Sequence, residues 1–187
     1  MPVTQLDQNA ALVVIDLQKG VLAMATQPSP ATVLERSARL AAAFRARHLT
    51  VALVNVSGRA PGRTSNPRVF TPQPGWDELA PELDTAADDI RVTKYNIGAF
   101  HGTGLDMHLR RRGVTQIFLT GIATSSGVEA TARAAYDHGY NVVSVIDAMA
   151  DGDPEAHRHA IEKQLIKIGE TATADEVLAA VARRPAD

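Results

Sequence analysis

Short apolar runs that alternate with longer helical patterns constrain this chain more than any other feature of its sequence. Apolar runs typical of buried strands lie at residues 11–15, 50–56, 90–93, 116–122 and 141–146. Helical patterns cover residues 32–47, 105–112, 126–138, 154–164 and 174–183, with a brief extended piece at 166–168. This alternation predicts βαβ units, and therefore an α/β fold in which helices cover both faces of a mostly parallel sheet of five or six strands.

Length and composition limit the classes of function. The 187 residues suffice for a substantial core, and we expect residues 1–187 to form a single domain. A formal net charge of −2 provides no positive field for nucleic acid or an anionic membrane, and the longest apolar runs are too short to span a bilayer. The N-terminal residues do not resemble a secretory signal, so we expect a cytoplasmic protein. Because the chain has no cysteine, disulfides, thiolate zinc sites and thiol catalysis are excluded.

Polar residues follow three of the expected strands at their carboxyl ends. Asp16 follows the first strand, Lys94 the third, and residues 124–127 the fourth. In a doubly wound sheet, ligands bind beyond these strand ends, near the point where the strand order reverses. On the residues alone, two interpretations stay open. Either Asp16 and Lys94 belong to a site, or Asp16 is a helix cap or turn former and Lys94 is a solvated lysine.

Residues 57–89 interrupt the alternation and contain many of the prolines, several glycines and Trp76. A connection of this length without periodicity is either a functional loop over the site or a plain surface loop. We expect Trp76 to anchor this loop or to contact another subunit, rather than to stack on a ligand.

Three motifs in this order resemble those of the isochorismatase-like cysteine hydrolases, over about residues 13–170 of the chain. IDLQKG resembles the segment with the family's acidic residue, KYNIGAF the segment with its lysine, and IFLTGIATSSGVEATARAAY its nucleophile segment. The matching residues are Asp16, Lys94 and Gly127, with Gly127 in place of the catalytic cysteine. The resemblance implies a three-layer α/β/α, doubly wound sheet in the order 3-2-1-4-5-6. It also implies a non-proline cis peptide between Ala123 and Thr124, and a homo-oligomer that is a dimer or larger.

The glycine changes the chemistry that this resemblance implies. Amide hydrolysis in the family needs a thiolate activated by the acidic residue and the lysine, whereas its true isochorismatases have glycine at the same place. Those enzymes are thought to protonate a vinyl ether with the aspartic acid, after which water attacks the oxocarbenium carbon. The resemblance therefore implies a metal-independent hydrolase with Asp16 as general acid/base and Lys94 as its partner. We expect its substrate to be a vinyl ether such as isochorismate.

Two other functions stay open. One is a non-catalytic protein that binds a small molecule in the retained pocket, and the other is an amidase with Ser125 or Ser126 as nucleophile. Ser126 and Glu129 fit the S-x-x-E pattern of a capping box, which favours a helix N-cap as the role of Ser126. The presence of both Asp16 and Lys94 favours catalysis, because simple binding does not need that pair.

The strand ends and the resemblance together supply candidate substrate contacts. These are Gln18, Asn55, Arg59, Phe100, His101, Ala123, Thr124 and Ser126. Ala123 stands where isochorismatases have a tyrosine that faces the substrate, and backbone amides of residues 124–127 are expected to stabilise negative charge. Arg59, Arg63 and Arg68 either supply cations for a dianionic substrate or form a solvated basic loop.

The sequence favours neither a metal nor another cofactor. The segment VNVSGRAPG after the second strand lacks the His and Asp of metal-binding relatives. His157 and His159 lie two residues apart on an expected helix and point to different faces, so we interpret both as surface residues. We expect a small-molecule substrate and no nucleic-acid or membrane partner. The helix at 128–135 either forms part of a subunit interface or packs only on its own sheet.

Overall fold

A computed structural model of the chain describes residues 3–65 and 71–184, and its centre is a parallel β-sheet. Within these residues the sheet has six strands in the order β3-β2-β1-β4-β5-β6, and every neighbouring pair is parallel. The strands are β1 (Ala10–Ile15), β2 (Thr50–Val56), β3 (Ile90–Lys94), β4 (Gln116–Ile122), β5 (Asn141–Ala150) and β6 (Glu170–Ala172). The predicted doubly wound fold and strand order are confirmed.

Helices cover both faces of this sheet and complete the three layers. They are α1 (Lys19–Leu22), α2 (Pro30–Ala46), α3 (Leu105–Arg111), α4 (Glu129–Asp137), α5 (Pro154–His159) and α6 (Ala174–Ala182). Apolar side chains of α2 and α6 pack with Leu12 and Val14 on one face, and those of α3 and α4 pack with Val13 and Ile15 on the other. All six residues of β1 are buried, because a central parallel strand is covered on both sides.

Two stretches differ from the sequence-based expectation at the far edge of the sheet. Residues 166–168 are not extended, because the Ile168 amide donates to the Leu165 carbonyl and closes a 3₁₀ turn over Leu165–Lys167. The sixth strand begins later, where Glu170 pairs with Val143. Strand β5 is longer than expected, because after an irregularity it pairs again with the end of β4.

The segment after β4 also differs from a simple helix. Residues Thr124–Val128 form a π-turn, and the regular helix α4 starts only at Glu129. The cis peptide bond joins Ile122 to Ala123, one residue earlier than the resemblance implied. A second π-turn, Ala160–Gln164, follows α5 where one longer helix was expected.

The second half of the 57–89 connection is docked on the carboxyl ends of β1 and β2. The amides of Lys19 and Gly20 donate to the carbonyls of Glu78 and Trp76, both at 2.9 Å. The indole ring of Trp76 lies directly against Gly20, where a Cβ atom would overlap it. Trp76 is therefore an anchor of this loop, the first of the two roles expected for it.

Among residues 3–65 and 71–184, no helix combines the length and apolar character that crossing a membrane requires.

Candidate active site

Asp16 and Lys94 form a buried ion pair at the carboxyl edge of the sheet. Asp16 follows β1 with a left-handed backbone (φ 54°), and Lys94 is the last residue of β3. Lys94 Nζ lies 2.8 Å from Asp16 Oδ2. It also donates a hydrogen bond to the Asn96 carbonyl oxygen, at 3.2 Å. Because β2 separates the two strands, the lysine side chain reaches across the end of β2 to make this contact.

The Asp16 carboxyl is unusual in its surroundings. The residue is 5% exposed, and its second oxygen, Oδ1, is buried without a hydrogen-bond partner among the described residues. Burial raises the pKa of Asp16 to about 6, while the Lys94 charge and its hydrogen bond act in the opposite direction. The carboxyl therefore exchanges a proton near neutral pH, which suits a general acid or base.

Gly127 lies beside this pair. A Cβ atom built on Gly127 would lie 3.5 Å from Asp16 Oδ2, 3.5 Å from the Ile97 carbonyl oxygen and 3.2 Å from Ile15 Cγ2. A side chain at residue 127 would thus point at the carboxylate. The Thr131 hydroxyl donates to the Gly127 carbonyl at 2.6 Å and accepts from the Ala99 amide, which fixes the start of α4.

The two serines of the turn do not take the expected roles. The Ser125 amide and hydroxyl both donate to Asp151 Oδ2, at 2.8 and 2.7 Å, so its hydroxyl is engaged at the end of β5. Ser126 is exposed and is not the N-cap of α4, because the π-turn places Val128 there. The Ser126 amide donates to the Ala123 carbonyl at 3.1 Å. Two of the backbone amides expected to stabilise negative charge are therefore already engaged.

Gln18 and Asn55 lie close to the site but serve the loop. Gln18 is fully buried. Its Oε1 accepts from the Val56 amide at 2.7 Å, and its Nε2 donates to the Val56 carbonyl at 2.9 Å and to the Trp76 carbonyl at 3.3 Å. The Asn55 amide donates to the Asp77 carbonyl at 3.0 Å and accepts from Thr93. These hydrogen bonds pin the second half of the loop to the ends of β1 and β2.

Phe100 lies away from the Asp16 pair. Its ring packs on His138 and Tyr140, with centroids 5.1 and 5.9 Å apart, beyond the far end of α4. Helix α4 has nine residues, so about 14 Å of helix separates that end from Gly127. Phe100 is a core residue beneath α4, where its apolar ring is buried with the other apolar side chains on that face of the sheet.

The remaining candidates lie at the surface or on the turn. His101 is exposed, and its carbonyl accepts from Asn96. Arg59 and Arg63 are exposed, and Arg68 lies outside the described residues. Ala123 is half-buried and opens the turn that leads to Gly127.

One contact was missed by sequence reasoning. Thr124 is fully buried, and its Oγ1 lies 2.8 Å from Nδ1 of His157, which is half-buried rather than a surface residue. Burial lowers the pKa of His157, and the Asp151 charge opposes this effect. His159 is exposed, as expected. The sequence did contain a signal for this contact. Asp153 and Pro154 are typical of a helix start, and a helix that begins there, just after β5, places His157 at the edge of the sheet where β4 ends.

Among the described residues, no group of three or more His, Cys, Asp or Glu side chains could hold a metal ion.

Comparisons of the sequence and of the structure with known proteins all find members of the isochorismatase family. The family model for the isochorismatase domain matches residues 10–176. The isochorismatase family protein YecD of Escherichia coli O157:H7 is 38% identical over 93% of this chain and 97% of its own length. A solved isochorismatase family protein from Burkholderia thailandensis is 43% identical, with a TM-score of 0.92 over 95% of this chain and 98% of that chain. An isochorismatase of Bacillus subtilis is 34% identical over 59% of this chain and 34% of its own length.

Proposed function

The chain belongs to the isochorismatase family of hydrolases, and from this premise we propose that it hydrolyses a vinyl ether such as isochorismate without metal or covalent intermediate. Asp16 is the general acid/base, Lys94 is its partner, and Gly127 occupies the family's nucleophile position. Asp16 gives its proton to the terminal carbon of the vinyl group. Water adds to the resulting oxocarbenium carbon and returns a proton to Asp16, and the adduct then releases the alcohol and a 2-oxo acid.

The single observation that carries this proposal is the state of the Asp16 carboxyl. Lys94 donates to Oδ2, so the acidic proton belongs on Oδ1, which has no hydrogen-bond partner within residues 3–65 and 71–184. A pKa of about 6 leaves about one-tenth of this carboxyl protonated at pH 7 and about half at pH 6. An acid with a free, buried O–H and a cationic neighbour to stabilise its anion is suited to protonating carbon.

The glycine supports the same chemistry. Residue 127 has no side chain, and a Cβ atom there would lie 3.5 Å from Asp16 Oδ2. An amide substrate bound beside this turn would meet no attacking atom from residue 127. Loss of the nucleophile is compatible with a reaction in which water is the nucleophile.

The serine amidase has weaker support. Ser125 is hydrogen-bonded to Asp151, a different carboxylate from the one paired with Lys94. Ser126 precedes Gly127 in the π-turn, so its side chain points to a different side of that turn from a side chain at residue 127. No observation places either hydroxyl against the buried ion pair.

Pyruvate release from isochorismate, coupled to NADH oxidation by lactate dehydrogenase, tests the proposal. Ammonia release from simple amides is measured in parallel. We expect turnover of isochorismate by the wild type and by Ser126→Ala, and none by Asp16→Asn. Activity in Asp16→Asn with loss in Ser126→Ala would replace the acid mechanism by the serine one. Tight binding of isochorismate by the wild type without product would identify a binding protein instead.

We also propose a cytoplasmic homo-oligomer with a small-molecule substrate. The buried side of α4 packs on its own sheet, through Ala132 and Ala135, so only the exposed side of this helix is available for an interface. Tyr136 and Ile166, each more than half exposed, are apolar residues available for subunit contact. Light scattering of the purified protein measures the subunit number, and a monomer at micromolar concentration would contradict the proposal.

A further inference from the structure

Two side-chain bridges join the 124–128 turn to the chain that follows β5. Asp151, at the end of β5, accepts from Ser125, and His157 in α5 contacts Thr124. Helix α5 is held in place at its start by Asp153, which accepts from the amides of Glu155 and Ala156. The imidazole is thus presented to the turn by a capped helix rather than by a free loop.

The direction of the Thr124–His157 hydrogen bond depends on which nitrogen of the neutral imidazole carries the hydrogen. A neutral Nδ1 without hydrogen accepts, so the Thr124 hydroxyl donates to it and keeps its own oxygen lone pairs free to accept elsewhere. If Nδ1 carries hydrogen, the threonine oxygen must accept and its hydrogen turns away. The imidazole therefore decides whether Thr124 meets its other neighbours as an acceptor or a donor.

We infer that His157 is a positioning residue of the active site, which acts by holding the Thr124 hydroxyl as an acceptor for the attacking water or a substrate hydroxyl. This inference rests on the proposed function, because it concerns turnover at the site that holds Asp16 and Gly127. Thr124 is fully buried and opens the same turn that carries Gly127, three residues later. An oriented acceptor in that turn is what a reaction with water as nucleophile needs besides an acid.

The charges around His157 favour the neutral imidazole. Burial lowers its pKa, and Asp151 is the charged group that opposes this effect. The 124–128 turn contributes no titratable side chain, and the packed 160–164 turn contributes the exposed Glu162 and Lys163. On α5 itself the neighbours Asp153, Glu155 and Arg158 are exposed. With Nδ1 as the acceptor, as the inference requires, protonation at low pH would reverse the hydrogen bond to Thr124, so turnover should fall on the acid side.

Replacement of His157 by asparagine and by alanine separates position from bulk. Asparagine can place its amide oxygen near the former Nδ1 and accept from Thr124 without titrating, whereas alanine leaves the hydroxyl unpaired. We expect His157→Ala to lower kcat for isochorismate about tenfold with little change in KM, the effect of one hydrogen bond of about 1.4 kcal/mol. His157→Asn should recover most of kcat and lose the acid limb of the pH profile. His159→Ala, an exposed histidine on the same helix, is the matched control and should behave as wild type.

A double replacement tests whether the two residues act as one unit. Thr124→Val combined with His157→Ala should be no slower than Thr124→Val alone, because the imidazole then has no hydroxyl to orient. Thermal unfolding of each variant accounts for losses that arise from instability.

The outcomes separate this inference from the proposed function. An active wild type with an equally active His157→Ala would overturn the inference alone, and so would an asparagine variant no better than alanine. A wild type without turnover, or an active Asp16→Asn, would overturn the proposed function and remove the role of His157 with it.

Discussion

Replacing Asp16 with asparagine tests the electrostatics on which the proposed mechanism depends. Burial raises the pKa of Asp16 from 3.8 to about 6, with Lys94 opposing the rise. Because the folded protein holds this proton more tightly than the unfolded chain does, ionisation of Asp16 makes the folded state less stable. The change from 3.8 to about 6 corresponds to about 3 kcal/mol of unfolding free energy.

The sign and the pH window follow from these two values. Below pH 3.8 the carboxyl is protonated in both states and its stabilising contribution is fully present, and this contribution is lost as pH rises through about 6. Asp16→Asn has no such titration, and the remaining difference between a protonated carboxyl and an amide adds an offset that does not depend on pH. The attraction of Lys94 is already contained in the pKa of about 6. The unfolding free energy of Asp16→Asn minus that of wild type should therefore increase by about 2 kcal/mol between about pH 4 and pH 7.

Urea denaturation at a series of pH values, followed by circular dichroism, measures this difference. Asp137→Asn, which changes an exposed aspartate at the end of α4, is the matched surface control. Parallel stability curves for wild type and Asp16→Asn would show that Asp16 has an ordinary pKa, and the general-acid argument would fail. Since the acid must be protonated to act, kcat should also fall as pH rises through about 6.

Three further predictions concern the turn and the loop. Gly127→Cys should be alkylated by iodoacetamide with a pH midpoint below the value of about 8.5 for free cysteine, because Lys94 and the N-terminal end of the helical turn outweigh the Asp16 carboxylate, whose Oδ2 would lie 3.5 Å from the new Cβ; an unshifted midpoint would contradict this. Ser126→Ala should change the unfolding free energy by less than about 0.5 kcal/mol, since the hydroxyl is exposed and caps no helix, and a loss of about 1 kcal/mol would restore the capping interpretation. Gly20→Ala should displace the ring of Trp76 and shift the fluorescence of this single tryptophan to longer wavelength, and an unchanged spectrum would show that the loop adapts without moving the ring.

The sequence alone determined the sheet and the position of the Asp16–Lys94 ion pair. Strand β1 is apolar throughout and β4 is largely so, and such runs alternate with helical patterns. The parallel sheet and its order therefore follow from local signals and the family likeness. Parallel strands bring their carboxyl ends to one edge, and this places Asp16, Lys94 and the turn with Gly127 together.

Only the tertiary structure decided which neighbouring side chains are free for a ligand. Gln18 and Asn55 are polar residues at strand ends, but both are used by backbone groups of a loop about 20 to 60 residues away. Phe100 turns into the core beneath α4 instead of toward the site. The direction and partner of such a side chain depend on packing between distant segments, which local composition does not encode.

The same reason accounts for the histidine. The spacing of His157 and His159 indicated that the two side chains lie on different faces of a helix, and the structure agrees. The interpretation of both as surface residues was wrong for His157, which is half-buried against Thr124. Which of the two faces meets Thr124 is decided by where Asp153 and Pro154 start α5 against the end of β4. The sequence specifies a helix and its periodicity, whereas the rotation of that helix against its neighbour exists only in the folded chain.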